Sequence, residues 1–137
     1  MREIKYIAIH CTATAPTAKV ESIKKYWAEN LGWKSPGYHF LIDNLGVIHS
    51  LLPIESVSNG VAGFNSVTIN VSYIGGVEGT RPIDTRTLSQ RTSMEHLVRE
   101  LHTKFPSAII QGHRDFPNVK KACPSFDVAK WLKEIKL

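Results

Sequence analysis

The sequence predicts a single α/β domain in which a central mixed β-sheet is packed by about three helices, with a cleft on one side. Short apolar, β-branched runs at Ile4–His10, Tyr38–Ile42, Val47–Leu51, Val67–Ile74 and Ala108–Gln111 read as strands bounded by turn residues. Apolar residues spaced three and four apart mark helices among and after these runs. With 137 residues, 42% hydrophobic and 21% charged, the chain suits one globular domain over residues 1–137. That length buries roughly two thirds of the unfolded surface without a disulfide or a structural metal.

Ile4–His10 reads as a central strand because Ile7-Ala8-Ile9 is apolar throughout. His10 ends it, facing the turn-rich loop Thr12 to Thr17, whose hydroxyls are candidate acceptors for the second ring nitrogen. Val20, Ile23, Trp27 and Leu31 form the apolar stripe of a helix from about Ala18 to Leu31, which Gly32 stops. The next two runs form a β-hairpin through Asp43-Asn44-Leu45-Gly46. Alternation sets Tyr38, Phe40 and Ile42 on one face and His39 and Leu41 on the other, so Tyr38 and His39 are not expected at the same site.

Pro53 to Asn65 is a long loop of the kind that walls a cleft. Val67–Ile74 is a strand ended by Gly75-Gly76, and Val77 to Arg86 reads as a polar surface loop. Thr87-Leu-Ser-Gln90 matches a capping box for a helix that runs through Leu88, Met94, Leu97, Val98 and Leu101 until Pro106 ends it. Ala108–Gln111 then delivers His113, and Ser125 or Asp127 caps a last helix buried through Val128, Trp131, Leu132 and Ile135.

The net charge of +5 draws the chain toward anionic surfaces, and its sign does not choose among nucleic acid, membrane and wall polymers. Its lysines and arginines, Arg86 among them, are scattered and read as solvated; without a clustered cationic face or a stacking platform, no nucleic-acid partner is expected. No apolar stretch reaches the length of a signal peptide or a membrane span. The expectation is a monomer that stays in the cytoplasm as synthesised and meets its target after release.

Of six histidines, His96 and His102 lie six apart on the second helix, point in different directions and read as surface residues. His39 and His49 read as a packed and an edge histidine of the hairpin. His10 and His113 each sit where an apolar strand runs into a loop, where scaffolds present functional groups. Cys123 shares the Gly112 to Asp127 stretch with His113, so the chain offers two imidazoles and one thiol. Zinc favours such ligands, and three protein ligands leave a fourth position open, as in catalytic sites. Cys11, beside His10, should face the other side of its strand as a small buried apolar residue, leaving both cysteines reduced. The residues alone lead to a candidate catalytic zinc and stop short of a substrate.

Three separated motifs, Ile7-Ala-Ile-His-Cys-Thr-Ala-Thr14, Gly37-Tyr-His-Phe40 and Lys121-Ala-Cys-Pro-Ser-Phe-Asp127, together resemble the zinc-dependent N-acetylmuramoyl-L-alanine amidases of the phage-lysozyme and peptidoglycan-recognition-protein family. The resemblance spans nearly the whole chain. It implies zinc bound by His10, His113 and Cys123, with Tyr38 and Lys121 as the catalytic pair and no ligand role for His39. It also implies peptidoglycan as substrate, cut between the lactyl group of N-acetylmuramic acid and the first L-alanine of the stem peptide, by a phage or prophage lysis enzyme. Asp115 is read as lying beside the site or at the surface.

Two positions depart from the family pattern. Relatives often carry a cleft histidine around Gly60, whereas this chain has none between His49 and His96, and Asn70 stands where a strand glycine is usual. The first bears on substrate contacts and the second on the cleft floor. The competing reading is a non-catalytic peptidoglycan-recognition module, and Cys123 separates the two, since relatives without the thiol ligand lose the metal.

Overall fold

The computed structural model describes residues 1–137. Along the chain run β1 (Tyr6–Cys11), α1 (Val20–Lys25), β2 (Phe40–Ile42), β3 (Ile48–Ser50), β4 (Thr68–Tyr73), β5 (Val77–Glu78), β6 (Arg81–Pro82), α2 (Leu88–Lys104), β7 (Ile109–Gly112) and α3 (Val128–Glu134). A strand that is apolar on both faces must be covered on both, and β1 meets this by sitting inside a five-stranded sheet of order β3-β2-β4-β1-β7. β1 runs parallel to β4 and β7, β2 runs parallel to β4, and β3 closes the sheet antiparallel to β2. The sheet is therefore mixed, as the sequence predicts.

Alternation divides the two faces. Ile7, Ile9, Cys11, Ile42, Ile69, Val71 and Tyr73 form the main core with Met94, Leu97, Val98 and Leu101 of α2 and Val128 and Trp131 of α3. Cys11 is thus a buried core thiol, as expected. The other face carries two smaller clusters, Ile23, Trp27, Leu41 and Ile74 near α1 and Ala8, Val61 and Phe116 under the loops. The cleft opens on this thinner side.

Several sequence expectations are corrected. The first helix is short, and the chain continues from α1 into a π-helical turn, Tyr26–Asn30, before Gly32 adopts a φ of 66° and ends it. Leu88 is 81% exposed, because the inward stripe of α2 is Gln90, Met94, Leu97, Val98 and Leu101, and a residue six before Met94 lies off that stripe. Gln90 is buried without penalty: its Nε2 donates to the carbonyls of Ile42 and Ile74, and its Oε1 accepts from the Thr87 N–H, closing the expected capping box. Asp127 rather than Ser125 caps α3, accepting from the Lys130 N–H at 3.1 Å. The segment read as loop between Val77 and Arg86 contains the β5–β6 hairpin.

Arg86 is also buried rather than solvated, its guanidinium stacked 3.4 Å from the Phe126 ring centre and forked onto Asp84 with two bonds of 3.0 Å. Removing the carboxylate strands a buried cation, so Asp84→Ala is expected to cost ~3–5 kcal/mol of unfolding free energy. Burial alone would raise the Asp84 carboxyl, but the hydrogen bonds and charge of Arg86 outweigh it and hold the group below the usual range. Its contribution is present above a pH of ~4 and is lost as pH falls through the folded-state value. Thermal unfolding of wild type and Asp84→Ala should therefore differ most near neutral pH and converge in acid.

Candidate metal centre

β1 presents His10 through strand alternation, which puts Ala8 and His10 on the cleft face and Ile7, Ile9 and Cys11 in the core. The parallel register pairs Ile9 with Gly112, so His113 leaves β7 beside His10, with ring centres 4.8 Å apart. Cys123 arrives on the loop before α3, its backbone carbonyl accepting from the Arg114 N–H at 2.9 Å and its Sγ accepting from the Cys11 N–H at 3.2 Å. Gly112 permits this approach, because a Cβ there would lie 2.8 Å from Cδ of Pro124. His10, His113 and Cys123 place one ligand atom each within 4.8 Å of one another.

The donor set fits zinc. His10 Nδ1 and Cys123 Sγ are 3.8 Å apart, close to the ~3.6 Å that tetrahedral bonds of ~2.0 and ~2.3 Å require. Burial first, then the neighbouring His113 and Lys121, depress the His10 imidazole to about 3, and burial followed by Lys121 lowers His113 as well. Both rings are thus neutral near pH ~7 and have a lone pair to give. A hydrogen bond with Cys11, then burial, pushes the Cys123 thiol up, while the Cys11 N–H and Lys121 pull it down. A cation at the site must displace that proton.

The ring of Tyr38 packs 5.1 Å from that of His10, and its hydroxyl donates to the Cys11 carbonyl at 3.2 Å. Burial, with the charge of a nearby thiolate adding to it, raises the phenol well above its ordinary range, leaving it a proton-bearing donor. Lys121 is exposed at the rim and makes no ion pair with an acidic group. Tyr38 reaches the site from the β2 side of β1 and Lys121 from the β7 side. Together with Trp27, Trp33 and Asn59 they line a cleft of about 600 Å³ whose floor holds the three ligands. Asp115 is not among them; it turns back to accept from the Gly112 N–H at 2.9 Å.

Two expectations fail around His10. The loop threonines do not reach its second nitrogen: Thr12 pairs with Thr14 and accepts from the Gly75 N–H, while His10 Nε2 meets Asn70 Oδ1 at 2.7 Å. The alternation expected of Tyr38 and His39 also fails, since both stand on the same side of the sheet, although His39 does not line the cleft that Tyr38 lines. β2 begins only at Phe40, so Tyr38 escapes the alternation and joins the cluster with Leu41 and Trp27, while His39 Nδ1 accepts from the Asn70 N–H. Asn70 was legible as a polar residue interrupting a strand, in the row Thr68, Asn70, Ser72, but not as the partner of His10. His49 is the expected edge histidine, bonded to Asp43 at 2.9 Å.

A family model described as N-acetylmuramoyl-L-alanine amidase matches residues 1–126. The endolysin of Enterobacteria phage K11 is 31% identical over 134 residues, covering 96% of this chain and 87% of that protein. Among solved structures, the Ph2119 endolysin from a Thermus scotoductus bacteriophage superposes with a TM-score of 0.82 at 22% identity, over 98% of this chain and 86% of that one. The N-acetylmuramoyl-L-alanine amidase LysC from Clostridium intestinale gives 0.81 at 22% identity, over 99% and 87%. These last two bear on the fold.

Cys123→Ser exchanges a thiolate for a hydroxyl, a far poorer zinc ligand. The variant is expected to keep its circular dichroism spectrum and to purify with little zinc, and wild type is expected to carry about one ion per chain, measured by elemental analysis without chelator.

Proposed function

The chain belongs to the N-acetylmuramoyl-L-alanine amidase family, and from that premise we propose that it is a zinc-dependent wall hydrolase whose metal is held by His10, His113 and Cys123. The observation that carries the proposal is the convergence of these three ligand atoms within 4.8 Å on the floor of the cleft. The substrate is peptidoglycan, and the bond cut is the amide between N-acetylmuramic acid and L-alanine. The lytic role of the related phage proteins suits a chain in which no helix is long and apolar enough to cross a membrane.

An amide is a weak electrophile with a poor leaving group, so the site must provide charge stabilisation and a proton as well as a nucleophile. The zinc ion, when bound, supplies electrophilic activation of the carbonyl and of the attacking water. Lys121 keeps its ammonium outside the ligand set, since a protonated amine has no lone pair, and directs it at the negative charge that grows on the carbonyl oxygen. Tyr38, a half-buried phenol whose ring packs 5.1 Å from that of His10, turns its one O–H from the Cys11 carbonyl to the other side of the reacting group when substrate is bound. The aromatic wall of Trp27 and Trp33, stacked with centres 6.4 Å apart, gives a muropeptide an apolar surface and keeps bulk water off the site.

The recognition-module reading has Cys123 against it, because a module that only binds muropeptide has no need of a thiol ligand. Digestion of purified walls should release new alanine amino termini without new reducing sugar ends; the opposite products would mark a glycosidase.

Lys121→Ala and Tyr38→Phe are expected to keep zinc and fold while hydrolysis falls by ~10²-fold or more, the usual cost of losing one oxyanion donor. Wall-clearing rates measured beside zinc content test this, and wild-type rates in both variants would remove the two residues from the mechanism.

A further inference from the structure

Asn70 is fully buried in a strand, where an amide with unused hydrogen bonds would cost several kcal/mol. Both of its ends are used. Oδ1 lies 2.7 Å from His10 Nε2, and Nδ2 donates to Ser58 Oγ at 2.7 Å. Ser58 and His39, each 0% exposed, continue the chain, with Ser58 Oγ 3.2 Å from His39 Nδ1 and His39 Nε2 2.7 Å from the Ser56 carbonyl.

The direction of every proton in this chain follows from one backbone group. The Asn70 N–H can only donate, and it points at His39 Nδ1 at 3.0 Å. That nitrogen is therefore an acceptor, so His39 carries its hydrogen on Nε2 and gives it to the Ser56 carbonyl. Arg2 Nη2, 3.2 Å from the same Nε2, is accordingly a cationic neighbour rather than a bonding partner; the carbonyls of Ile54, Asn65, Ser66 and Thr68 hold its guanidinium. Because His39 Nδ1 carries no hydrogen, Ser58 can only donate toward it, sharing that nitrogen's one lone pair with the Asn70 N–H, and the Ser58 oxygen is left to accept from Asn70 Nδ2. The amide is thereby oriented with Oδ1 toward His10, and only an N–H can satisfy it.

The remaining His10 nitrogen, Nδ1, is the one that faces Cys123 Sγ. We propose that Asn70, oriented by Ser58 and His39, is a positioning residue that holds His10 as its Nε2–H tautomer and so keeps the Nδ1 lone pair aimed at the metal position. The inference rests on the zinc reading for its purpose but not for its geometry.

Gly60 belongs to the same device. A Cβ there would lie 2.3 Å from Cγ and Oδ1 of Asn70, so the asparagine occupies space that any side chain at position 60 would need. Glycine at 60 thus leaves the room that asparagine at 70 fills with an amide on the cleft floor.

Two measurements on the full chain test this. Long-range proton–nitrogen NMR on the metal-free wild type should find His10 in the Nε2–H form. Chelator competition should show zinc affinity lowered ~10- to 100-fold in Asn70→Gly, the usual cost of losing such a partner. Asn70→Asp, which keeps an acceptor toward Nε2, should remain within about threefold of wild type by the same reasoning. Gly60→Ala alters no group of the chain yet pushes Asn70 aside, so it should lose affinity as Asn70→Gly does, and the double variant should be no worse than Asn70→Gly alone.

A wild-type His10 carrying its proton on Nδ1 would overturn the inference, as would a folded Asn70→Gly that binds zinc as tightly as wild type. Should Asn70→Gly fail to fold, the wild-type tautomer and Gly60→Ala decide. A wild type that binds no zinc would sink the metal reading, while its tautomer would still decide the role of Asn70.

Discussion

The parallel pairing of β1 with β4 on one side and β7 on the other is the constraint on which the site depends. It sets Ile9 opposite Gly112 and His10 opposite Ser72, so His113 leaves the sheet beside His10 and the Asn70 side chain lies within reach of it. Parallel strands share a direction, and their carboxyl ends converge on one edge of the sheet, where α/β folds place their ligands. A slip of one residue in β1 would turn His10 into the core and Cys11 into the cleft. The apolar alternation of Ile7, Ile9 and Cys11 against Ile69, Val71 and Tyr73 prevents it, which makes the packing of one sheet face the guarantor of the chemistry on the other.

Neutral donors and a nearby cation divide the electrostatic work. Burial keeps the two imidazoles unprotonated and the Tyr38 phenol protonated. Lys121 remains at the exposed rim of the cleft, above these inner groups. Candidate ligands and proposed charge stabiliser therefore lie at different depths of one cleft.

The parts of the fold legible in the sequence are those with local causes. The apolar run of β1, the Thr87–Gln90 capping box, the hairpin turn and the Gly32 stop each follow from a few neighbouring residues, and the structure contains all four. His10, His113 and Cys123 were readable because each stands in a distinct chain context, and they converge as expected. What escaped depends on distant partners. Arg86 is buried because Phe126 comes to lie under it, Tyr38 changes side because β2 starts late, and Asn70 gains its meaning only once β4 lies against β1. Periodicity carries no information about such contacts.

The order of the strands also bears on how the chain acquires its fold. β1 is made first, yet Tyr6 pairs with Thr68 and Ile109, so the middle of the sheet waits for strands that emerge much later. Such long closures carry an entropic cost before any contact repays it, and they make folding slow relative to locally wired domains. Cys123 comes later still, just ahead of the final helix. A nascent chain can therefore display His10 but has nothing to set beside it, and the cleft comes into being only after Cys123 has been added. Drawing the cleft from widely separated segments thus times the enzyme's own maturation.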